Sequence, residues 1–572
     1  MAMATCSWRS PAMRVQMTAS KQFQSPERRS ANYQPNSWDY DSLQSLRGGR
    51  AAQDMDHPYV FDKLKASVRN LMINKPEPSA KLRLIDTMQR LGISYHFEEE
   101  INDSLSSISM DSAMDATAVM ALRFRLLREN GIGASTDTLN CLKDGRNGGF
   151  RKTLKKDIEG LLSLYEASYF AFGGEDILDE ARRFSSGALR DLLPSMDPHL
   201  KSKVAHSLEL PLHWRAPRQE ARWFIDHYAK DMNSDPLIAK FSKLDFNNVQ
   251  NMHRQEIAML TSWWKDDVAL GEKLTFARDR LIECFHYANG IAWGSSVGKC
   301  REAITKAFAL VVHLDDVYDV YGTLDELTLF TDAIARWDIN SSEMLPDYMR
   351  PIYCTIISTS NEMAEHVLRE HGLSTHHLFH KGWHDLCKAF LVEAKWHYGN
   401  HRPSLNEYLN NGWMSSSGPL LLLHAFPLLK EKISSKSLQE LEGYPSLVES
   451  ASRIFRLCND SATHSEELQR GDAPSSIAIY MHENGASEKE SREAMHERTI
   501  ETWKMINEDA LCRRQYSKSF ANACLNLGRI SHCIYQGGDG LGAPDDEKRK
   551  QIRELFLEPC VIEEENILLP RN

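Results

Sequence analysis

Apolar residues recur at helical spacing along most of the chain, whereas strand-like alternation is sparse. Stretches such as "LDEARRFSSGALRDLL" and "LGEKLTFARDRLIECF" repeat an apolar residue every three or four positions among charged ones. This is the pattern of a helix that buries one face. No fixed-period repeat emerges, which disfavours a helical solenoid. The chain is therefore predicted to fold as an all-α protein.

Two interruptions of this pattern predict how the helices are arranged. At "KDMNSDPLIAK" the turn-forming residues 233–236 divide a first series of amphipathic helices from longer and more apolar ones. Since 572 residues exceed one ordinary core, we expect an N-terminal helical domain over 28–233 and a C-terminal domain over 234–572. In the second domain Gly418 and Pro419 interrupt an apolar helical stretch, which predicts a kink with freed backbone carbonyls.

The amino-acid composition argues against several classes of partner and site. The net charge is −11 and the chain has no long basic cluster, which argues against nucleic acid as a partner. Eleven cysteines are scattered without a C-x-x-C pair, as expected in a reducing compartment rather than for a disulfide framework or a zinc site. The longest apolar stretch, "PLLLLHAFPLL", is short and interrupted by His424 and Pro427, so no membrane span is predicted.

The N-terminus has the composition of an organelle leader. The first 26 residues contain no Asp or Glu but include Arg9, Arg14, Lys21 and several Ser and Thr residues. This composition is typical of a transit peptide, which we assign to residues 1–27 and exclude from the fold. A merely disordered N-terminus is the alternative.

Three aspartates in "LDDVYDVYG" follow an apolar run, "AFALVVH". Asp315 and Asp319 are four residues apart and share one helix face, while Asp316 is displaced by roughly 100°. Like charges at this spacing repel each other, so folding alone gives no reason for them. A divalent cation does, and Mg²⁺ prefers a few carboxylate oxygens together with water and substrate phosphate. A solvated acidic turn is the alternative.

A second stripe of oxygen-bearing side chains lies in "NDSATHSEE". Asn459, Thr463 and Glu467 fall four residues apart along a single helix face and supply one negative charge and two neutral oxygens. This donor set suits a second hard cation. A helix with a polar solvent face would produce the same spacing.

Arginines accompany both stripes. Arg456 lies one turn before Asn459, and Arg278 and Arg280 are predicted to stand on the helix that precedes the aspartates. Guanidinium groups bind phosphate oxygens in a fork and stay charged, which suits a diphosphate. Ordinary salt bridges to neighbouring acids are the alternative. Jointly, the stripes and arginines on helices rich in aromatic residues indicate a site for an apolar diphosphate.

These residues give the chain its resemblance to plant class I terpene synthases over nearly its whole length. "DDVYD" is similar to the aspartate-rich motif of that family, and "NDSATHSEE" to its second metal motif. The segments "RDR", "RLCND", "PLHWR", "EAKW" and "YQGGDG" also stand where members have their counterparts. "RRSANYQPNSW" resembles the paired arginines and tryptophan of plant monoterpene synthases, here Arg28, Arg29 and Trp38.

The resemblance implies a fold, a reaction and a compartment. The fold would be an N-terminal barrel-like domain of α-helices that supports a C-terminal class I terpene synthase α-bundle. The reaction would be Mg²⁺-dependent ionisation of geranyl diphosphate, with conversion of the allylic or linalyl cation to a cyclic, acyclic or water-captured monoterpene. The protein would act on this prenyl diphosphate as a monomer in the plastid.

The resemblance also assigns roles to the two stripes. Asp315 and Asp319 would ligate Mg²⁺, with Asp316 in support. Arg278 and Arg456 would hold the diphosphate. A further ion would be held by Asn459, Thr463 and Glu467, so that three Mg²⁺ ions are implied, with Mn²⁺ as an alternative metal.

Other residues are expected to cover and line the cavity. By resemblance, the strand that carries Arg28, Arg29 and Trp38 caps the active site and supports isomerisation to the linalyl form. The glycine-rich loop 535–544 would close over the substrate, and Arg280 would support the diphosphate site. Aromatic faces would offset the positive charge of the allylic cation that remains after diphosphate leaves; the candidates are Trp263, Trp264, Tyr287, Trp293 and Tyr535.

Three positions depart from the family pattern or add to it. Ser475 stands where many monoterpene synthases have a lysine that reaches the diphosphate, and Tyr287 where relatives usually have a tryptophan. Asn289 follows on a stretch expected to line the cavity. We hypothesise that it holds a water that captures the cation and gives an alcohol or cyclic ether.

Three alternatives share part of this pattern. A cytosolic sesquiterpene synthase acting on farnesyl diphosphate would have the same metal motifs, but "RRSANYQPNSW" and the acid-free leader argue against it. A chain-elongating prenyltransferase would show two full aspartate-rich motifs. A non-catalytic helical scaffold would have no reason to keep both stripes. The chain has no D-x-D-D motif, so protonation-initiated chemistry is not expected.

Overall fold

The protein is described here from a computed structural model that covers residues 28–29, 31–48, 58–107, 116–145, 148–429, 431–471, 474–513 and 515–562. The leader predicted at residues 1–27 lies outside the described residues. Within these ranges the regular elements are helices, and β pairing is limited to one isolated bridge between Lys143 and Phe150. The prediction of an all-α fold is therefore confirmed.

In the residues that the structure describes, nine α-helices precede the predicted break at 233–236, in agreement with the series of amphipathic helices expected there. They are α1 Tyr40–Gln44, α2 Pro58–Ile73, α3 Pro78–Arg90, α4 Glu98–Ser107, α5 Thr117–Glu129, α6 Ile158–Ser168, α7 Asp176–Leu192, α8 Pro198–Glu209 and α9 Pro217–Tyr228. Short 3₁₀ segments lie between them at Ser45–Gly48, Ser94–His96, Thr136–Leu142, Lys152–Lys156, Leu193–Ser195 and Leu212–Trp214.

Fifteen α-helices follow the break in the described part of the chain. They are α10 Pro236–Ser262, α11 Leu270–Lys273, α12 Leu281–Ile291, α13 Gly298–Asp316, α14 Leu324–Arg336, α15 Met349–His371, α16 His376–Tyr398, α17 Leu405–Ser415, α18 Gly418–Ala425, α19 Ser435–Glu442, α20 Ser446–Arg470, α21 Ser476–Asn484, α22 Glu488–Asn507, α23 Lys518–Tyr535 and α24 Asp546–Phe556. Shorter segments are the 3₁₀ turns Ile339–Met344 and Phe426–Leu428 and the π-helical turns Trp263–Val268, Val317–Tyr321 and Glu508–Arg513.

The break between α9 and α10 arises from local capping chemistry. Asp235 accepts hydrogen bonds from the backbone nitrogens of Leu237 at 2.9 Å and Ile238 at 3.4 Å, and Pro236 occupies the first position of α10. A carboxylate cap followed by proline is a strong start signal for a helix. The predicted break is confirmed, and its use as the domain boundary stays a prediction.

The hydrophobic cores join the two halves of the chain. One core packs helices from the first half against α10 and also takes in Leu555 and Phe556 of the last helix. The larger core belongs to the second half and includes Trp214 from the segment before α9. The first half therefore supports the second through shared apolar surface, whose burial is the main stabilising contribution to such contacts.

The helices at the centre of the second half are buried on every side. All residues of α12 and of α18 are buried, as expected for helices that are surrounded by others. Between α17 and α18 the chain bends at Ser417, whose φ of 68° lies in the left-handed region. The kink predicted at Gly418 and Pro419 is confirmed, and the bend brings Ser415, Ser416 and Ser417 to the wall of a cavity.

Candidate active site

A cavity lies among the helices of the second half, and both predicted oxygen stripes line it. Its wall is formed by α13, α16, α17, α20 and α23, by the bend before α18, and by the loop that follows α23. The polar lining residues include Arg278, Asp315, Asp319, Glu393, Arg456, Asn459, Thr463 and Glu467. Tyr33, from the N-terminal segment, completes the wall. The sequence prediction that these two stripes meet is confirmed.

The aspartates at the end of α13 have two different surroundings. Asp315 and Asp319 line the cavity, although α13 ends at Asp316 and a π-helical turn continues it. Asp316 is fully buried and accepts hydrogen bonds from the backbone nitrogen of Arg278 at 2.6 Å and from its Nε at 2.9 Å. Nη2 of Arg278 donates to Asp315 at 2.7 Å. Asp316 therefore holds Arg278 in place beside the two cavity aspartates.

Arg278 and Arg280 lie in the non-helical link between α11 and α12, so their predicted helical position is wrong. The reason is that Asp316 takes the backbone N–H of Arg278, which a helix would have used. The ring of Tyr33 covers the Arg278 guanidinium at 4.5 Å. Burial opposes the charge of Arg278, but Asp316 and Asp315 outweigh it and raise its pKa.

The second stripe lies on α20, as predicted. Asn459, Thr463 and Glu467 all face the cavity. Arg456, one turn earlier, donates to Asn459 Oδ1 at 3.1 Å and to Ser415 Oγ at 3.1 Å. Burial raises the pKa of Glu467 to about 8, with a further contribution from Asp460. The stripe therefore carries a carboxyl group that lacks a cationic partner strong enough to offset its burial.

Glu393 on α16 is a polar cavity residue that the sequence reasoning missed. Its Oε1 accepts hydrogen bonds from Ser415 Oγ at 2.5 Å and from Asn411 Nδ2 at 3.0 Å. Because Ser415 also accepts from Arg456, these contacts fix the bend before α18 against α16 and α20. Burial raises the pKa of Glu393. Its place in "EAKW", one of the segments shared with the family, was the available clue.

Apolar side chains form the remainder of the wall. Phe308, Val311 and Val312 come from the apolar run before the aspartates, so this run forms part of the cavity wall. Tyr535 also lines it, as predicted. Further aromatic residues that the sequence reasoning did not select add to the wall, namely Phe390, Trp396, Tyr408 and Phe455. Phe455 precedes Arg456, and this adjacency could have indicated it.

The predicted tryptophans lie elsewhere in the structure. Trp263 is half-buried and packs under the ammonium of Lys306, 5.2 Å from its ring. Trp264 is buried and donates through Nε1 to Asp279 at 3.0 Å. Trp293 contacts the first half of the chain, with its ring 5.4 Å from that of Tyr95. The prediction that these three residues line the cavity is therefore wrong, because each packs against another neighbour.

Tyr287 and Asn289 lie behind the cavity wall rather than in it. The Tyr287 ring packs 4.9 Å from Phe308 and 5.0 Å from Phe455, and its hydroxyl pairs with Ser531 at 2.5 Å. Tyr287 thus supports the wall from the second layer. Asn289 is buried and its Nδ2 lies 3.0 Å from a ring nitrogen of His253 on α10. The hypothesis that Asn289 holds a water in the cavity is therefore wrong.

The N-terminal segment crosses the mouth of the cavity beside the aspartates. Arg28 pairs with Glu326 at 2.9 Å and lies over the rings of Tyr321 and Tyr348. Arg29 donates to the backbone carbonyl of Asp319 at 3.2 Å. These contacts agree with the predicted capping strand.

The rest of this segment is also held in place. Trp38 donates through Nε1 to Glu283 at 2.8 Å.

The loop after α23 also contributes to the cavity wall. Asp539 and Gly542 of this loop line the cavity, in agreement with the lid predicted at 535–544. Ser475 is buried, bonds His464 at 2.8 Å and caps α21.

The donors around the cavity fit Mg²⁺. They are carboxylate, amide and hydroxyl oxygens on two elements, α13 with its π-helical continuation and α20. No three His, Cys, Asp or Glu side chains form a ready metal cluster anywhere in the residues that the structure describes. Mg²⁺ needs no such cage, because it binds through one or two carboxylates and completes its shell with water and substrate phosphate. Asp315 and Asp319, and Asn459, Thr463 and Glu467, would hold it.

Family models match most of the chain. The model of the terpene synthase N-terminal domain matches residues 37–208, and the model of the terpene synthase metal-binding domain matches residues 266–505. The chain therefore belongs to the terpene synthase family. No described helix is both long and apolar enough to cross a membrane.

Individual relatives cover nearly the whole chain. A (−)-α-terpineol synthase from Vitis vinifera is 43% identical over 539 residues, 93% of this chain and 91% of that protein. Limonene synthase with 2-fluorolinalyl diphosphate is 34% identical with a TM-score of 0.89, covering 94% of this chain and 100% of the other. Isoprene synthase from Populus x canescens, with three Mg²⁺ ions and dimethylallyl-S-thiolodiphosphate, is 40% identical with a TM-score of 0.84, covering 92% and 99%. Several other relatives, 42 or 43% identical, are named chloroplastic.

Proposed function

We propose that this terpene synthase ionises geranyl diphosphate with Mg²⁺ and converts the resulting cation to a monoterpene. The observation that carries the proposal is the convergence of two oxygen stripes, Arg278 and Arg456 on one cavity with an apolar wall. The Arg28, Arg29 and Trp38 segment over this cavity favours the ten-carbon substrate. A limonene synthase related to this chain binds a linalyl diphosphate analogue.

The polar end of the cavity binds the diphosphate. Arg278 is held by Asp316 so that its guanidinium stays beside Asp315, and Arg456 is held by Ser415 and Asn459. Two fixed guanidinium groups stabilise the negative charge that grows on the leaving group, at no cost of reorientation. Bound Mg²⁺, three ions by analogy with the isoprene synthase complex, would supply Lewis-acid stabilisation of the charge on the diphosphate.

The apolar end of the cavity protects the cation. Phe308, Phe390, Phe455 and Tyr535 present aromatic faces in the wall, and each such face offsets positive charge by about 0.5 to 2 kcal/mol. The N-terminal segment and the loop after α23 cover the mouth, which keeps water away until the hydrocarbon skeleton has formed. After ionisation, the protein thus determines the conformation of the cation and shields it from water.

Three further properties belong to this proposal. The N-terminal domain, residues 28–233, supports the catalytic domain, residues 234–572. The leader at 1–27 directs the protein to the plastid, which the chloroplastic names of several relatives support. The enzyme acts as a monomer, as the family resemblance implies.

Product analysis tests the proposal. Purified protein would be incubated with Mg²⁺ and either geranyl or farnesyl diphosphate, and products and released diphosphate measured by gas chromatography and phosphate assay. We expect monoterpenes from geranyl diphosphate, and no turnover by a folded double variant, Asp315→Asn with Asp319→Asn. Products from farnesyl diphosphate alone would support the sesquiterpene alternative. No diphosphate release from either substrate would support the scaffold alternative.

A further inference from the structure

Arg280 donates away from the cavity, although it is only two residues from Arg278. It is 4% exposed and does not line the cavity wall. Its Nη2 donates to the carbonyl of Gln34 at 2.7 Å, its Nε to that of Gly542 at 3.1 Å, and its Nη1 to that of Asp279 at 2.9 Å. In the described part of the chain its hydrogen-bond acceptors are thus backbone carbonyls rather than carboxylates. Its guanidinium does not reach the space that diphosphate would fill.

Two of these carbonyls belong to the two covers of the cavity. Gln34 lies in the N-terminal cover, residues 31–40, and Gly542 lies in the loop cover, residues 536–545. They are 246 and 262 residues from Arg280 along the chain. A guanidinium with donors in a rigid fork can bridge two carbonyls at once, whereas an ammonium is a single point of attachment.

Arg278, in the same link between α11 and α12, also lies close to both covers. The Tyr33 ring, next to Gln34, packs over the Arg278 guanidinium at 4.5 Å. A Cβ atom at Gly542 would lie 2.8 Å from Nη1 of Arg278, so the loop cover approaches this arginine closely. Arg278 in turn holds Asp315 at 2.7 Å. Contacts at residues 278–280 therefore connect the diphosphate site to both covers.

The N-terminal cover has two further anchors near this link. Tyr40 donates to Asp279 Oδ1 at 2.6 Å, and Trp38 donates to Glu283 Oε1 at 2.8 Å. These contacts fix the N-terminal cover alone. Arg280 differs because it bonds both covers.

We propose that Arg280 is a positioning residue that joins the N-terminal cover and the loop cover, so that they close over the cavity as one unit. This inference rests on the proposed function for its consequence, which is exclusion of water while the cation exists. It corrects the expectation that Arg280 acts with Arg278 and Arg456 on the diphosphate. Loss of the link frees both covers together and exposes the cation to water.

Hydrogen–deuterium exchange of the full chain tests the link without depending on turnover. Exchange would be followed in peptides from the two covers, with and without Mg²⁺ and inorganic diphosphate. The test variant is Arg280→Lys, which keeps the charge and loses the fork. Arg151→Lys is the control, because Arg151 also donates through Nε and Nη2 to two backbone carbonyls, those of Leu142 and Cys141, in the first half of the chain.

We expect Arg280→Lys to exchange about tenfold faster in both covers, as the loss of one stabilising hydrogen bond would produce. Arg151→Lys should leave both covers as in the wild type. With geranyl diphosphate, Arg280→Lys should also release a larger fraction of water-captured alcohols. Faster exchange in one cover only, or in neither, would overturn the proposal, as would an unchanged product ratio in a folded variant.

A second variant tests the link with Arg280 intact. Trp38→Phe removes the bond to Glu283 and loosens the N-terminal cover. If Arg280 transmits this change, exchange in the loop cover also rises. A rise confined to the N-terminal cover would overturn the proposal even if Arg280→Lys failed to fold. The proposed function fails by a different result, namely no diphosphate release by the wild type.

Discussion

Asp316 holds Arg278 through two hydrogen bonds, from the backbone nitrogen at 2.6 Å and from Nε at 2.9 Å. Asp316 is fully buried, whereas Asp315 and Asp319 face the cavity. Two acids of this motif thus face the cavity, and the third binds Arg278, which also lines the cavity. A buried carboxylate with a fixed guanidinium partner is a positioning device, because removing either partner leaves the other charge uncompensated.

The first prediction separates the positioning role of Asp316 from metal binding. In Asp316→Asn the guanidinium of Arg278 loses the buried one of its two charged partners, keeps only Asp315 and shifts. We expect kcat/KM for geranyl diphosphate to fall by about 10- to 100-fold. The Mg²⁺ concentration for half-maximal rate should stay unchanged. Asp315→Asn and Asp319→Asn should raise that concentration. The exposed Asp347→Asn is the control, and an Asp316→Asn variant with a shifted Mg²⁺ dependence would contradict this division of roles.

The second prediction concerns the stripe on α20. Glu467 is its carboxyl member, with a pKa raised to about 8 by burial, so a bound cation would favour its ionised form. Glu467→Gln keeps the shape of the side chain and removes the group that can ionise to ligate the cation. We expect the Mg²⁺ concentration for half-maximal rate to rise about tenfold or more. The measurement is a Mg²⁺ titration of the rate after removal of metal with a chelator. Glu493→Gln, on the exposed surface of α22, should titrate like the wild type. An identical titration for both variants would refute a metal-binding role for Glu467.

Residue spacing within one helix was sufficient to predict the two stripes. A separation of four residues places side chains on one face whatever surrounds the helix, so Asn459, Thr463 and Glu467 could be grouped before their neighbours were known. The same holds for the apolar run before Asp315. The all-α fold and the break at 233–236 likewise follow from local patterns.

Which face of a helix meets the cavity could not be predicted, because it depends on packing between helices. Tyr287 and Asn289 are two residues apart on α12 and point to different neighbours, the former to Phe308 and the latter to His253. On a helix buried on every side, no polar face marks the orientation. The role of Arg280 could not be predicted either, because two of its acceptors, the carbonyls of Gln34 and Gly542, lie 246 and 262 residues away in sequence.

The third prediction follows from the position of Asn289 behind the cavity wall. Asn289→Ala should leave the ratio of oxygenated to hydrocarbon products unchanged, measured by gas chromatography after incubation with geranyl diphosphate. It should lower the free energy of unfolding by about 1 to 3 kcal/mol, because the buried ring of His253 loses its side-chain hydrogen-bond partner. Urea unfolding checks this cost. A changed product ratio at wild-type stability would show that Asn289 acts in the cavity and would contradict its position behind the wall.

The fourth prediction concerns the pH dependence of stability. Burial, with a contribution from Lys548, lowers the pKa of His286 to about 3, against about 6.5 in an unfolded chain. The native state keeps this histidine neutral, so the unfolded state binds more protons below pH 6.5. The stability that depends on neutral His286 is therefore complete above pH 6.5 and is lost as the pH falls toward 3.

His286→Leu removes this titration and keeps an apolar side chain in the site beside Phe556. Between pH 7 and pH 5 the wild type should lose about 2 kcal/mol more unfolding free energy than the variant. Urea unfolding at the two pH values measures the difference, and titrations shared by both proteins cancel from it. His371→Leu, at an exposed position, should keep the wild-type dependence. Equal losses in the wild type and His286→Leu would show that His286 is protonated without cost in the folded protein.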